Sequence, residues 1–190
     1  MGPPSADAPR EVVIRRWTDV PDKARLIPEI DAIFFESSGI KSFADEAERT
    51  AFRERWLGRY LRREPQWAYL AIASDGSVAG YLVGSIGHPA RIEDAGSFQD
   101  FAPFMADYPA HLHVNLAAGF RNRGIGRDLI AAFAADAARA GAHGMHVVTA
   151  AGARNVGFYE RAEFRLLART LAGGRELVLL GRKLGPPETS

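Results

Sequence analysis

The segment whose residues are best suited to bind a ligand is a basic, glycine-containing turn that leads into a helix. The turn is part of the segment FRNRGIGRDLI, residues 120–130. Glycine lets a ligand approach the backbone closely, and the first N–H groups of a helix have no partner inside it. Such a turn favours phosphate, and arginine side chains add charge that suits a polyanion. The residues concerned are Arg121, Arg123, Gly124, Gly126 and Arg127.

Spacing separates the phosphate-binding motifs that such a turn could form. A nucleoside triphosphate loop requires Lys-Ser or Lys-Thr after its second glycine, whereas Ile125 and Gly126 follow Gly124. A dinucleotide motif requires a third glycine where this chain has Leu129, and a clear acidic ribose partner is missing about 20 residues later. The pattern that remains is R-x-x-G-x-G, which begins at Arg121.

A second group of reactive side chains lies just upstream, in the segment HLHVNL. Residues alternate between the two faces of a strand, so His111, His113 and Asn115 share one face. Imidazole titrates near neutrality, so His113 could act as a general base, directly or through water. A histidine hydrogen-bonded within the sheet is the alternative. His111 and His113 are also a candidate metal pair, but no third ligand is evident, so we predict no metal.

Composition limits the partners and the location of the protein. The 190 residues carry a net charge of +1, so the sequence predicts neither a nucleic-acid nor a membrane partner. The chain contains no cysteine, which excludes disulfides and a thiol nucleophile. No stretch is apolar enough for a signal peptide or a membrane span. We therefore expect a cytoplasmic protein with a disordered tail over residues 1–10 and a single domain over 11–185.

The elements that position these side chains alternate between strands and helices. Turn residues Asp75 and Gly76 divide the segment 66–87 into a β-hairpin. Thr18 or Asp19 is the expected cap of the first helix, and a helical turn is expected within the long connection 88–110. The order β-α-α-β-β-β-α-β-α-β-β predicts one mixed α/β sheet. The other predicted strands are 11–17, 111–116, 145–150, 164–170 and 175–184, and the predicted helices are 18–37, 44–63, 125–140 and 153–162.

Two motifs in this order resemble those of one enzyme superfamily. R-x-x-G-x-G after a strand is similar to the pyrophosphate-binding motif of the GNAT superfamily of N-acetyltransferases, Q/R-x-x-G-x-G/A. The segment NVGFYERAEF, residues 155–164, resembles the closing F-Y-E-R-x-G-F motif of the same family. The element order also fits from about residue 11 onward. The resemblance implies an α/β GNAT (acyl-CoA N-acyltransferase) fold, with a mixed sheet of about seven strands flanked by about four helices.

The resemblance also implies roles in acetyl-CoA binding and catalysis. In the family, the backbone before the turn pairs with the pantetheine arm, and the turn itself holds the pyrophosphate. Tyr159 matches the tyrosine that protonates the departing thiolate in many relatives. A core aromatic is the other interpretation of this tyrosine. The implied pantetheine residues are Val114, Asn115 and Leu116, and the implied pyrophosphate residues are Arg121, Asn122, Arg123, Gly124, Ile125, Gly126 and Arg127.

Two positions depart from the family pattern. Gly152 stands where relatives commonly have asparagine, and Asn155, beside Arg154, is the candidate replacement for that contact with CoA. Glu163 stands where the family has glycine, at a position that often needs positive φ. A glutamate would be strained there, so we expect the turn to be rebuilt.

The resemblance therefore implies direct transfer of an acetyl group from acetyl-CoA to a primary amine. The acceptor could be a polyamine, an aminoglycoside, an amino acid or a protein N-terminus, and acidic residues in 88–110 mildly favour a cation. A catalytically silent acyl-CoA-binding module is the alternative, and a homodimer is compatible with both. The predicted acceptor-site residues are Glu36, Asp107, Tyr108 and His111.

Overall fold

The computed structural model describes residues 11–87 and 96–185, and it confirms the predicted element order. The predicted tail 1–10 and part of the long connection, 88–95, lie outside the described residues. The strands are β1 (Val12–Arg16), β2 (Ala68–Ala73), β3 (Val78–Ile86), β4 (Ala110–Leu116), β5 (Gly144–Ala150), β6 (Arg165–Ala172) and β7 (Arg175–Lys183). The helices are α1 (Lys23–Ser37), α2 (Glu46–Arg53), α3 (Arg59–Arg63), α4 (Ile125–Arg139) and α5 (Val156–Arg161).

The strands form one mixed seven-stranded sheet in the order β1-β2-β3-β4-β5-β7-β6. β4 and β5 are parallel, whereas β1 pairs with β2, and β7 with both β5 and β6, in the antiparallel direction. The pairing of β5 with β7 extends over seven residue pairs, from Gly144 with Lys183 to Ala150 with Leu177. The predicted mixed sheet of about seven strands is therefore confirmed.

The chain forms two compact units, and their boundaries fall within β3, β4 and α4. The first unit includes residues 11–81 and 114–129, and the second includes residues 82–113 and 130–185 of the described chain. In the first unit, Leu26, Ile30 and Leu57 are almost fully buried. In the second unit, Phe133 and Met145 are fully buried. The predicted single domain over 11–185 stays a prediction.

The first helix begins later than its predicted cap. Residues 17–19 form a short 3-10 turn, and α1 starts at Lys23 after Asp22, whose backbone is left-handed (φ 45°) and whose side chain makes no capping hydrogen bond. The prediction of Thr18 or Asp19 as the cap was therefore wrong. Pro28 lies inside α1, where its nitrogen cannot donate to the preceding turn. The apolar spacing nevertheless buries one face of α1.

The predicted helix 44–63 is helical over most of its length but has a wider turn at its centre. Asp45 accepts a hydrogen bond from the Glu48 amide (2.8 Å), and the Glu48 carboxylate accepts one from the Ala44 amide (2.6 Å). This reciprocal pair is a capping box that fixes the start of α2. A π-helical turn, Glu54–Gly58, then connects α2 with α3.

The hairpin turn and the described part of the long connection after β3 have the structures that the sequence predicts. The hairpin turns at Gly76 (φ 81°), where the Gly76 amide donates to the Ala73 carbonyl (2.8 Å). The long connection contains a 3-10 helix, Gly96–Phe104. In the second unit, Phe101 is fully buried and packs in one cluster with Met105 and Leu179. Burial of these apolar side chains anchors the described part of the connection.

Glu163 keeps the left-handed backbone that its position requires, so the expected rebuilding of this turn was wrong. Its φ is 69°. The Glu163 amide donates to the Glu160 carbonyl (3.0 Å), and the Phe164 amide donates to the Tyr159 carbonyl (3.0 Å). These two bonds form the Schellman motif that ends α5, in which glycine is the favoured residue. The Glu163 side chain is exposed and pairs with Arg182 (2.9 Å).

Replacing Glu163 with glycine should stabilise the fold relative to replacing it with alanine. Both variants lose the ion pair with Arg182, but alanine keeps the β-carbon that disfavours positive φ. We expect Glu163→Gly to exceed Glu163→Ala by about 1 kcal/mol in the free energy of unfolding, measured with urea. Equal stabilities would show that the left-handed backbone at this position is not strained.

Candidate functional site

The turn over residues 121–127, called the phosphate turn below, lies in the first unit and has an open, left-handed backbone. Asn122 and Gly124 have positive φ (62° and 84°). The Gly124 carbonyl accepts hydrogen bonds from the amides of Arg127 (2.9 Å) and Asp128 (3.1 Å), and these bonds start α4. A β-carbon on Gly124 would meet nothing within 4 Å. Ligand atoms therefore have space to approach this backbone, which is what the predicted pyrophosphate site requires.

The arginines of the turn differ in their surroundings. The Arg121 guanidinium donates from Nε to the Leu116 carbonyl (3.1 Å) and from Nη2 to the Glu36 carboxylate (2.8 Å). Arg123 is exposed and lies over the Phe120 ring, 5.8 Å from its centroid. Arg127 is also exposed. The turn thus presents two exposed cations beside one that is already bound to a carboxylate.

The end of β4 that belongs to the first unit packs closely against β3. A β-carbon on Gly80 would lie 2.7 Å from the Asn115 carbonyl oxygen, so only glycine allows this approach. The Asn115 side chain donates to the Tyr81 hydroxyl (2.8 Å). Burial raises the pKa of Tyr81, and the hydrogen bond with Asn115 acts in the opposite direction. Tyr81 is therefore a neutral phenol that holds one of the predicted pantetheine residues, a role that sequence reasoning missed.

The parallel pairing of β4 with β5 is short. The ladder consists of two pairs, Ala110 with Met145 and His111 with His146, and it does not include His113. Within the described second unit, β4 therefore leaves its parallel neighbour after His111. A strand that separates from its neighbour leaves backbone groups available for another partner.

Three histidines lie together in the second unit. The rings of His111 and His113 are 4.6 Å apart between centroids and nearly perpendicular, in agreement with the prediction that they share one face of β4. The rings of His111 and His146 are 5.3 Å apart and tilted by 32°. Sequence reasoning did not select His146, because only the register of β5 against β4 brings it beside His111.

His146 is buried and neutral. Its side chain is 2% exposed, and its Nδ1 lies 2.6 Å from the Tyr108 carbonyl oxygen, which fixes the proton on Nδ1. Burial lowers the pKa of His146, although the Tyr108 and Ala110 carbonyls act in the opposite direction. Its Nε2 atom is buried and finds no hydrogen-bond partner among the residues that the structure describes. His146 therefore provides a fixed tautomer beside the His111 ring.

Tyr159 lies on α5 and is 5% exposed. Its ring contacts Phe158 and Phe164, with centroids 5.2 and 5.4 Å away. Burial raises the pKa of Tyr159, so the phenol keeps its proton well above neutrality. A tyrosine in this state can donate a proton. Nearby in the sequence, the Asn155 side-chain oxygen accepts a hydrogen bond from the Thr149 hydroxyl (3.0 Å).

The predicted acceptor residues Asp107 and Tyr108 are engaged in contacts at the start of β4. Asp107 is paired with Lys183 (3.2 Å), whose ammonium lies 4.5 Å from the centre of the Tyr108 ring. A β-carbon on Gly144 would lie 2.7 Å from the Tyr108 ring. The tyrosine therefore packs directly on the backbone of β5, and its carbonyl holds His146.

An open cavity of about 330 Å³ lies in the first unit, near the end of α1. Its walls combine aromatic and apolar side chains with both signs of charge. A cavity of this kind suits a ligand with an apolar part and a polar group. The lining residues are Phe35, Ile40, Lys41, Phe43, Asp45, Glu46 and Arg49.

Metal binding and membrane crossing are the two remaining properties on which the described residues bear. Over residues 11–87 and 96–185, no group of three or more His, Cys, Asp or Glu side chains is arranged to hold a metal ion. In that same part of the chain, every helix is too short or too polar to cross a membrane.

Comparison with known proteins identifies a family and a fold. The sequence profile of the Acetyltransferase (GNAT) family matches residues 31–164. The structure of SsHAT is similar, with 22% sequence identity, a TM-score of 0.71, and coverage of 92% of this chain and 98% of that chain. A ribosomal-protein-alanine N-acetyltransferase from Brucella melitensis has 20% identity, a TM-score of 0.60, and coverage of 90% and 99%.

A further similar structure was determined with its cofactor. It is yncA from Salmonella typhimurium with acetyl-CoA, which has 19% identity, a TM-score of 0.57, and coverage of 95% of this chain and 98% of that chain. These likenesses confirm the predicted GNAT fold.

The buried state of His146 should make stability depend on pH. Because burial lowers its folded-state pKa, the unfolded chain binds a proton more readily, and stability should fall as the pH drops below about 6.5. His146→Asn keeps a donor for the Tyr108 carbonyl but does not titrate. We expect its free energy of unfolding to decline less than that of the wild type between pH 7.5 and pH 5.5, measured with urea. Parallel declines would argue against a depressed pKa.

Proposed function

Because the chain belongs to the acetyltransferase (GNAT) family, we propose that it transfers an acetyl group from acetyl-CoA directly to a primary amine. The observation that carries the proposal is the turn at Gly124, where a left-handed backbone with open space precedes α4 inside the region that matches the family. A similar structure that contains acetyl-CoA supports the choice of cofactor.

The cofactor is assigned to the backbone of β4 and of the phosphate turn. Val114 and Asn115 would pair with the pantetheine arm, and Leu116 would contribute its amide, since its carbonyl already accepts a hydrogen bond from Arg121. The amides from Asn122 through Gly126 would hold the pyrophosphate, since the Arg127 amide already donates to the Gly124 carbonyl. The exposed side chains of Arg123 and Arg127 would add positive charge. Asn155 would contact CoA through its side-chain amide, because Thr149 occupies its oxygen.

The transfer forms a bond between the acceptor nitrogen and the acetyl carbon and breaks the bond between that carbon and sulfur. Bound acetyl-CoA supplies the activated thioester. We assign His113 as the base that takes the proton from the acceptor amine, with His111 beside it on the same face. Tyr159 would donate its proton to the departing sulfur, since burial keeps the phenol protonated.

The acceptor is proposed to be the primary amine of a small molecule or a peptide. The Brucella melitensis protein of similar fold is named for alanine acetylation on a ribosomal protein, which supports including peptide N-termini. Asp107 and Tyr108 are retained as candidate acceptor contacts. We also infer that the partners include neither a membrane nor a nucleic acid, because the charge is balanced. A chain without cysteine suits the reducing cytoplasm, and a homodimer is compatible with the proposal.

Adding a negative charge at the turn should abolish cofactor binding. In Gly124→Glu, the carboxylate would enter the open space that we assign to pyrophosphate and repel it. Gly141→Glu adds the same charge at another open glycine with a left-handed backbone (φ 86°) and serves as the matched control. We expect calorimetry with acetyl-CoA to detect binding by the wild type and the control only. Thermal unfolding verifies that both variants fold, and tight binding by Gly124→Glu would contradict the assigned site.

Removing the Tyr159 hydroxyl should slow turnover without weakening cofactor binding. Tyr159→Phe keeps the ring that packs on Phe158 and Phe164 and deletes only the proposed proton donor. We expect kcat to fall by about 100-fold or more, since general acid catalysis contributes that much, while the Kd for acetyl-CoA stays unchanged. Thiol release with a panel of amines measures the rate.

The same assay separates the two candidate functions. Unchanged turnover in Tyr159→Phe would remove this residue from the mechanism. Cofactor binding by the wild type without thiol release from any amine would instead favour the catalytically silent acyl-CoA-binding module.

A further inference from the structure

We propose that Glu36 is a positioning residue for the cofactor turn, which it holds in place through Arg121. The sequence alone assigned Glu36 to the acceptor and Arg121 to the pyrophosphate. In the folded chain, both side chains instead form one ion pair that fixes the end of β4 and the start of the turn. It rests on the proposed function, because the quantity that it predicts is the affinity for acetyl-CoA.

The geometry connects three parts of the first unit through one guanidinium group. Arg121 Nη2 donates to Glu36 Oε1 (2.8 Å) near the end of α1, and Arg121 Nε donates to the Leu116 carbonyl (3.1 Å) at the end of β4. The Arg121 amide also donates to the Ala118 carbonyl (3.3 Å). A planar guanidinium that donates in two directions restricts its own rotation. The backbone that leads into the phosphate turn is therefore restrained from both sides.

The ion pair itself contributes little to overall stability. Both side chains remain partly exposed, at 34% for Arg121 and 49% for Glu36, and ion pairs of this kind are weak. Its effect should therefore be seen in the preorganisation of the turn. Without Glu36, the guanidinium would lose one of its two hydrogen-bond partners, and ordering it again would oppose ligand binding.

Simple electrostatics predicts that removing Glu36 has the opposite effect on the affinity for acetyl-CoA, which makes the inference testable. Glu36 is a negative charge bonded to an arginine of a turn that binds a polyanion. If the carboxylate only neutralised Arg121, its removal would strengthen the attraction for pyrophosphate. If it positions Arg121, its removal should weaken the binding of acetyl-CoA despite the more favourable charge. Whether the affinity for acetyl-CoA rises or falls therefore decides whether Glu36 only neutralises Arg121 or positions it.

The test is calorimetric titration of acetyl-CoA into the wild type, Glu36→Ala and Glu36→Gln. We expect Glu36→Ala to raise the Kd by about three- to tenfold, the effect of ordering one side chain again. Glu36→Gln keeps a hydrogen-bond acceptor for Arg121, so its Kd should lie between those of the wild type and Glu36→Ala. Glu176→Ala is the matched control, because it removes a carboxylate from another partly exposed arginine pair, with Arg169 at 2.9 Å. Its Kd should equal that of the wild type.

A second variant tests whether the two side chains act as one unit. Arg121→Lys keeps the positive charge but cannot donate from a planar group to both Leu116 and Glu36. We expect the double variant, Glu36→Ala with Arg121→Lys, to bind acetyl-CoA no more weakly than Arg121→Lys alone, because coupled residues are not additive. Additive losses would show that the two side chains act separately and would overturn the inference.

The two possible failures are distinguishable. An unchanged or lower Kd for Glu36→Ala, with binding by the wild type intact, overturns the positioning role and leaves the proposed function standing. Absence of acetyl-CoA binding by the wild type overturns the proposed function and this inference with it. Thermal unfolding of each variant verifies that a change in Kd does not arise from a misfolded protein.

Discussion

The left-handed backbone between β4 and α4 is the constraint on which the phosphate turn depends. Asn122 and Gly124 have positive φ, and the Gly124 carbonyl accepts the first hydrogen bonds of α4. Glycine adopts this conformation without steric cost, and asparagine tolerates it better than most residues. The turn can therefore expose its amides to a ligand while α4 begins immediately behind it. In the proposed site, the arginines would add charge, whereas the backbone conformation would provide the geometry for binding.

Burial determines the protonation states of two side chains in the second unit. Desolvation raises the pKa of Tyr159 and lowers the pKa of His146, so both side chains are neutral near pH 7. A neutral phenol can donate a proton, and a neutral imidazole with its proton fixed on Nδ1 offers a lone pair on Nε2. The His146 ring lies against His111, which in turn contacts His113. In the second unit, two half-buried imidazoles thus lie beside one that burial keeps neutral.

Several features were predictable because they depend on short stretches of chain. The hairpin turn at Gly76 and the glycine-containing turn at Gly124 follow from the conformations that individual residue types allow. Glu163 marks the limit of this reasoning. Its strain was foreseen, but the turn keeps its positive φ because the two hydrogen bonds that end α5 require it. Local hydrogen bonding prevailed over the preference of the residue.

The sequence by itself determined the order of the elements, the two motifs and hence the family, because these depend on periodicity and on spacing along the chain. Only the tertiary structure decided which side chains meet. Glu36 and Arg121 are 85 residues apart, and His146 reaches His111 only through the register of two parallel strands. Strand register and helix placement are set by the packing of the whole sheet. The sequence could therefore name the candidate residues, whereas their partners emerged only from the folded chain.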